Sequence, residues 1–361
     1  MRRFFFGGDM KNKKIRTAAF VFICVFAVVL VIFFNRGRQH DKILLTGRIS
    51  SEQDISASLD FSFSFIAEEY ERQKSFETFL CDEAISDCGG TVFSLFISTA
   101  VLNIIQESER SDIDSIKKRE VQRTLHCQDD HFLWDFYCIK HYKQGKHYYP
   151  DLDSTSLASW FLSSQKVEHN LEKIREQIRK TQLHDGALLT FLRDFQPPPH
   201  AMNQDPVANA NALVLLSEEI PSVCGFINRN FDKSVYYTDD VVVFYMLSKA
   251  YSKGVKCIKP ALDELYRRIK SSDLLKKNDM PMHLAMFVTA LMEVDCDDGK
   301  VLDAAIKQLL ENEWYFPFKE PFFRTGLNQK RDFYYSPAFS AAVYAEALTN
   351  IKSEIFHIRS K

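Results

Sequence analysis

Ser154 to Gln182 reads STSLASWFLSSQKVEHNLEKIREQIRKTQ and holds two helical segments of opposite character. In Leu157–Leu162 apolar residues fall on nearly every side, so a helix there has to be covered all round. In Lys166–Lys180 the apolar positions are Val167, Leu171, Ile174 and Ile178, three and four apart among charged and amide residues. That helix buries one face only. A fully covered helix followed by a half-covered one is the unit of a two-layered arrangement.

The alternation continues in both directions. Outer-type segments are predicted near 60–75, 115–126, 166–181, 218–229, 259–271 and 300–311, and inner-type segments at 92–105, 154–163, 207–216, 240–251, 282–293 and 336–349. The pattern predicts an all-α fold, an (α/α)6 toroid of six inner and six outer helices, in preference to the open solenoid that the same alternation permits. No period-2 strand pattern or Asn-Gly hairpin stands out, so the body is expected to be helical throughout.

Thr17 to Phe34, TAAFVFICVFAVVLVIFF, is an uncharged run of 18 residues and is predicted to be a transmembrane anchor. Arg2, Arg3, Lys11, Lys13, Lys14 and Arg16 precede it, which places the N-terminus in the cytoplasm and the main domain in a periplasmic or other extracytoplasmic space. Asn35-Arg36-Gly37-Arg38 offers no small-residue cleavage pattern, which favours an uncleaved signal-anchor. The expected organisation is a basic cytoplasmic N-terminus at 1–16, the anchor at 17–34, a polar linker at 35–55 and the toroid at 56–355.

Nine of the 46 Lys/Arg and only Asp9 and Asp41 of the 48 Asp/Glu lie in residues 1–42, leaving the body with 37 basic against 46 acidic residues. Such a domain has no electrostatic footprint for nucleic acid. Seven cysteines follow Cys24, an odd number that leaves at least one free thiol. Cys81/Cys88 and Cys127/Cys138 are close enough in sequence to pair, although an unpaired buried cysteine is the commoner fate in a large apolar core. No ligand spacing suits zinc, and no metal or cofactor is expected.

The long connections, about 127–153, 182–206, 230–239, 272–281 and 312–335, all run from an outer to an inner helix and so share one end of a ring. A ligand site is expected there, with Trp134, Tyr149, Asp205, Asn209, Tyr237 and Tyr335 as ligand contacts. Capping competes for the acids. Asp153, Asp205 and Asp239 each stand where a helix N-cap is expected, and a helix N-terminus favours the ionised carboxylate, the wrong direction for a general acid.

Tyr149-Pro150-Asp151-Leu152-Asp153-Ser154-Thr155-Ser156-Leu157-Ala158 resembles the Asp-x-Asp-Asp-Thr-Ala acid motif of class II terpenoid cyclases such as squalene–hopene cyclase. Asp205-Pro-Val-Ala-Asn-Ala-Asn-Ala-Leu, Tyr236-Tyr-Thr-Asp-Asp-Val-Val and Tyr334-Tyr-Ser-Pro-Ala resemble inner-helix starts of the terpenoid cyclase and protein prenyltransferase α/α toroids. The resemblance covers most of 85–350. It implies a central apolar pocket for an isoprenoid-like chain, Asp153 as the proton donor and Asp151 as the first acidic position of a catalytic pair. The third acidic position is Ser154. The prenyltransferase zinc set is not matched, because Asp295-Cys296-Asp297 lacks the spacing. The expected function is therefore binding of a membrane lipid or isoprenoid-like ligand, with protonation-initiated cyclisation as its chemistry. The alternatives are a non-catalytic lipid-, glycan- or protein-binding toroid, or a carbohydrate-active (α/α)6 enzyme pairing Asp153 with Asp205 or Asp239.

Overall fold

The computed structural model describes residues 43–46, 49, 51–81, 88–138, 149–192, 204–273, 280–294, 298–312, 314–316, 320–324 and 333–359. Thr17–Phe34 lies outside them. Among the described residues no helix is long and apolar enough to cross a membrane.

Ser51 opens the first helix, α1 (Glu52–Gln73), with a capping box: its hydroxyl accepts the Asp54 N–H, and the Asp54 carboxylate accepts the Ser51 N–H at 2.8 Å. This start lies inside the stretch read as linker. Ile49 is already buried and donates its N–H to the Leu310 carbonyl at 2.8 Å. The helices that follow are α2 (Leu95–Ile104), α3 (Ser111–Cys127), α4 (Leu152–Ser164), α5 (Leu171–Arg179), α6 (Pro206–Leu216) and α7 (Pro221–Asn230). Then come α8 (Asp240–Ser252), α9 (Lys259–Ser271), α10 (Pro281–Glu293), α11 (Gly299–Glu311) and α12 (Pro337–Arg359).

Burial divides them as the polarity pattern predicts. α5 buries only Ile174 and Ile178, and α11 only Ala305 and Leu309, whereas α10 buries every residue from Pro281 to Leu291. Each fully buried Leu, Ile or Phe contributes about 1.5–3 kcal/mol relative to exposure, so the inner layer supplies most of the hydrophobic stabilisation. The even-numbered helices pack in succession, α2 on α4, α4 on α6, α6 on α8, α8 on α10 and α10 on α12. α12 packs back on α2, and the ring is closed.

The body is not helical throughout. Glu77–Cys81 pairs antiparallel with Cys88–Phe93 on one side and Phe333–Tyr335 on the other, and Phe323–Arg324 joins at the edge. These strands are two to six residues long and one carries Gly89-Gly90, too little for a period-2 signal. The sheet sits where it matters. Its strands 88–93 and 333–335 run directly into α2 and α12, so it ties together the seam at which the ring closes.

Cys127 bonds to Cys138 and Cys224 to Cys257, and Cys81 is also disulfide-bonded. The expectation of mostly unpaired buried thiols is thereby corrected. Cys127 and Cys138 are brought within 4.9 Å between Cα atoms by the turn after α3, and Cys224 of α7 meets Cys257 in the turn before α9.

Candidate functional site

Two aspartates two positions apart do different jobs at the start of α4. Asp151 has the extended backbone of an N-cap and accepts the Ser154 N–H at 2.7 Å. Asp153, which the sequence placed at the cap, lies one step inside the first turn and looks away from its own backbone. Its Oδ1 accepts Nδ2 of Asn211, on α6, at 2.6 Å, and its Oδ2 accepts the Tyr237 hydroxyl. Burial pushes the Asp153 carboxyl up to about 7, against the pull of Tyr237 and Asn211. Burial likewise pushes Asp151 up to about 8, opposed by the Ser154 amide and assisted by the nearby Asp153 and Asp135. A carboxyl poised near neutrality meets the protonation requirement of a general acid.

The other acids on inner-helix starts are structural anchors. Asp205 Oδ1 accepts the Val207 N–H at 2.9 Å and the Ala208 N–H at 3.3 Å, while Oδ2 accepts the Ser234 hydroxyl at 2.6 Å and the Val235 N–H. Asp239 caps α8 through Val241 and Val242 and also meets His283 Nε2 at 2.7 Å. On the other side of that ring, Glu320 meets Nδ1 and accepts the Met282 and His283 amides, capping α10 from a distant loop. Burial disfavours the imidazolium, but Asp239 and Glu320 outweigh it and hold His283 up at about 10.

The aromatic residues of the long connections plug one end of the ring. Phe136 stacks on Phe96 at 5.4 Å and on Phe323 at 5.2 Å, and Tyr236 stacks on the same Phe323 at 5.7 Å. Tyr237 meets Phe323 edge-on, so the group that holds Asp153 is itself seated in the plug. Trp134 is fully buried and donates its indole N–H to the Thr124 carbonyl at 2.7 Å. Tyr335 stacks on Phe79 across the sheet, and Tyr149 is half-buried at the head of the α4 segment. Asn209 is spent on the backbone of Leu188, whose N–H and C=O it clamps at 2.7 and 3.1 Å.

A cavity of about 880 Å³ opens at the opposite end, among the last turns of the inner helices. Leu157 and Trp160 line it from α4, Tyr245 and Lys249 from α8, and Phe339 and Glu346 from α12. Asp153, Leu157 and Trp160 are spaced four and three apart and so share one face of α4. Asn211 is the α6 residue in the cavity wall, and behind it stands Asp153. Trp134, Tyr149, Asp205, Asn209, Tyr237 and Tyr335 do not line this cavity.

The mouth is charged and internally matched. Lys249 bridges Glu293, at 2.9 Å, and Glu346, whose other oxygen accepts the Tyr245 hydroxyl at 2.6 Å. Lys253 lies 5.4 Å from the centre of the Trp160 ring. The signal that could have found this mouth was present in the sequence: Lys249 and Glu346 are charged residues inside runs that are otherwise apolar.

No family model and no curated protein matches the chain. Solved structures do resemble it. A protein from Actinoplanes aligns with TM-score 0.61 at 14% identity over 82% of this chain and 99% of its own. A variant of the type II terpene cyclase MstE from Scytonema aligns with TM-score 0.60 at 13% identity, over 83% of this chain and 97% of its own. Another variant of that cyclase, in complex with the product merosterolic acid A, aligns with TM-score 0.55 at 14% identity and the same coverage. At such identities the likeness shows the fold: a mostly helical toroid of the terpene cyclase kind.

Proposed function

We propose that the toroid holds an isoprenoid-like or comparable lipid chain in its lumen. The observation that carries this reading is the cavity itself. Its 880 Å³ falls in the range of small-molecule sites, Leu157, Trp160, Met246 and Phe339 form an apolar part of its wall among charged and amide side chains, and Asn211, backed by Asp153, stands in that wall. The likeness to type II terpene cyclases supports the same reading. The body stands in an extracytoplasmic space behind an anchor at 17–34, a placement supported by the disulfides, which persist in oxidising compartments.

A second reading, protonation-initiated chemistry on that chain, is favoured by one observation: the Asp153 carboxyl, pushed up to about 7, stands directly behind Asn211 of the cavity wall. Its O–H would give up the proton to an alkene of the bound chain, forming a C–H bond and a tertiary cation and leaving the carboxylate. Loss of a proton after ring closure makes the product an isomer of the substrate. Against it stands the occupation of both carboxyl oxygens by Asn211 and Tyr237.

The test is extraction of lipid co-purifying with the full chain in detergent, wild type against Asp153→Asn, followed by incubation with squalene or geranylgeraniol. An isoprenoid-like chain in both preparations supports the binding reading, and a lipid-free wild type that takes up neither probe overturns it. A cyclised isomer made by wild type and absent from Asp153→Asn establishes the chemistry. Unchanged probe from both removes it.

A further inference from the structure

Asn211 is fully buried, and its two amide ends have unequal fates. The carboxylate of Asp153 fixes the orientation of the group, since only the NH₂ end can donate to it. That leaves the carbonyl Oδ1, which no protein donor reaches. A buried acceptor without a donor is costly, and this one belongs to the residue that α6 contributes to the cavity wall. The charged rim of the cavity constrains the ligand differently. Lys249 is already claimed by Glu293 and Glu346, and Arg110 by Asp112 at 2.8 Å and by Asp60. Lys253 and Lys352 line the cavity too, but carboxylates outnumber cations, Asp60, Glu107, Glu109, Glu293 and Glu346 against Arg110, Lys249, Lys253 and Lys352, so the rim is not built for a polyanion.

We infer that the lumen takes an uncharged chain bearing a terminal hydroxyl, and that this hydroxyl donates to Asn211 Oδ1. The inference rests on the chain-binding reading and narrows it to an alcohol-type lipid. A hydroxyl supplies the missing donor. The methyl ether of the same chain supplies none and adds a methyl group beside Asn211.

The experiment is a titration of full-chain protein in detergent with farnesol, farnesyl methyl ether, farnesene and farnesyl diphosphate, read by tryptophan fluorescence and calorimetry. Farnesol is expected to bind about tenfold or more tighter than the ether and farnesene, as satisfying a buried acceptor allows, with the diphosphate weakest. Asn211→Leu is expected to lose the preference for farnesol over the ether; the wild-type series decides the matter even if that variant does not fold. Equal affinity for farnesol, ether and farnesene overturns the hydroxyl assignment while leaving chain binding intact. Tightest binding of the diphosphate also overturns it. Binding of none of the four overturns both readings.

Discussion

Tyr237 and Asp153, 84 positions apart, meet phenol to carboxylate at the plugged end of the ring. The contact joins the loop that carries the aromatic plug to the helix that carries the poised acid. Tyr237→Phe keeps the ring packed on Phe323 and removes only the donor. The folded-state pKa of Asp153 then rises above about 7, because one of the two groups that pull it down is gone. The buried oxygen left without a donor costs about 1–3 kcal/mol. Denaturant unfolding at pH 8 reads that loss, which shrinks at pH 5, where the carboxyl is protonated. An equal loss at both values would remove the electrostatic account.

Asp153→Asn tests the same group from the other side. In wild type the folded pKa lies above the unfolded one, so the stability this carboxyl allows is fully present below about 3.8 and is lost as pH rises through about 7. The neutral amide does not titrate. Asp153→Asn is therefore expected to gain on wild type between pH 4 and pH 8, by an amount on the order of a few kcal/mol. Parallel pH–stability curves for the two proteins would show that burial does not raise this pKa.

The His283 clasp has the same direction in another window. Its pKa is raised to about 10, so its stabilisation is complete below about 6.5 and disappears as pH rises through about 10. His283→Gln is expected to abolish that alkaline loss and to be less stable at pH 7, since it strips the buried Glu320 of its cationic partner while the exposed Asp239 is screened by solvent. Thermal melts from pH 6.5 to 10 check both statements.

How far the sequence reaches is shown by particular residues. The inner and outer helices were legible because polarity is set helix by helix: Ile174 and Ile178 alone mark α5 as half-covered. Ring closure was expected in preference to an open solenoid, but the contact that makes it, α12 meeting α2 across more than two hundred residues, is one that no local pattern carries. The strand pairing of Phe79 with Tyr335 is equally non-local and rests on segments too short to show a period. At the site, the sequence pattern put the cap at Asp153, whereas Asp151 is the residue that caps. Which one caps was decided by Asn211 and Tyr237, which offer Asp153 better partners. The aromatic loops marked one end of the ring correctly, but rings that stack on each other close an entrance, and the open mouth formed where Lys249 and Glu346 interrupt apolar helices.

Asp205 and Asp153 separate structure from ligand recognition. Asp205 satisfies four donors and has no contact with the cavity, so Asp205→Ala is expected to cost about 2–4 kcal/mol through the lost cap and the stranded Ser234 and Val235 groups. Lipid bound per folded molecule should stay at the wild-type level. Reduced occupancy at unchanged stability would instead bring Asp205 into the binding site.

Cys224 and Cys257 enclose a loop 33 residues in separation, whereas Cys127 and Cys138 enclose one of 11. The entropy removed from the unfolded chain grows with loop length, so the Cys224→Ser/Cys257→Ser double variant should lose about 3–4 kcal/mol and Cys127→Ser/Cys138→Ser about 3. The two losses should add, since the first pair tethers α7 to the turn before α9 and the second ties the turn after α3 to the plug. Urea unfolding with and without dithiothreitol measures the sum. A midpoint insensitive to the reductant in wild type would mean that the thiols are not paired, and the oxidising placement of the body would lose its structural support.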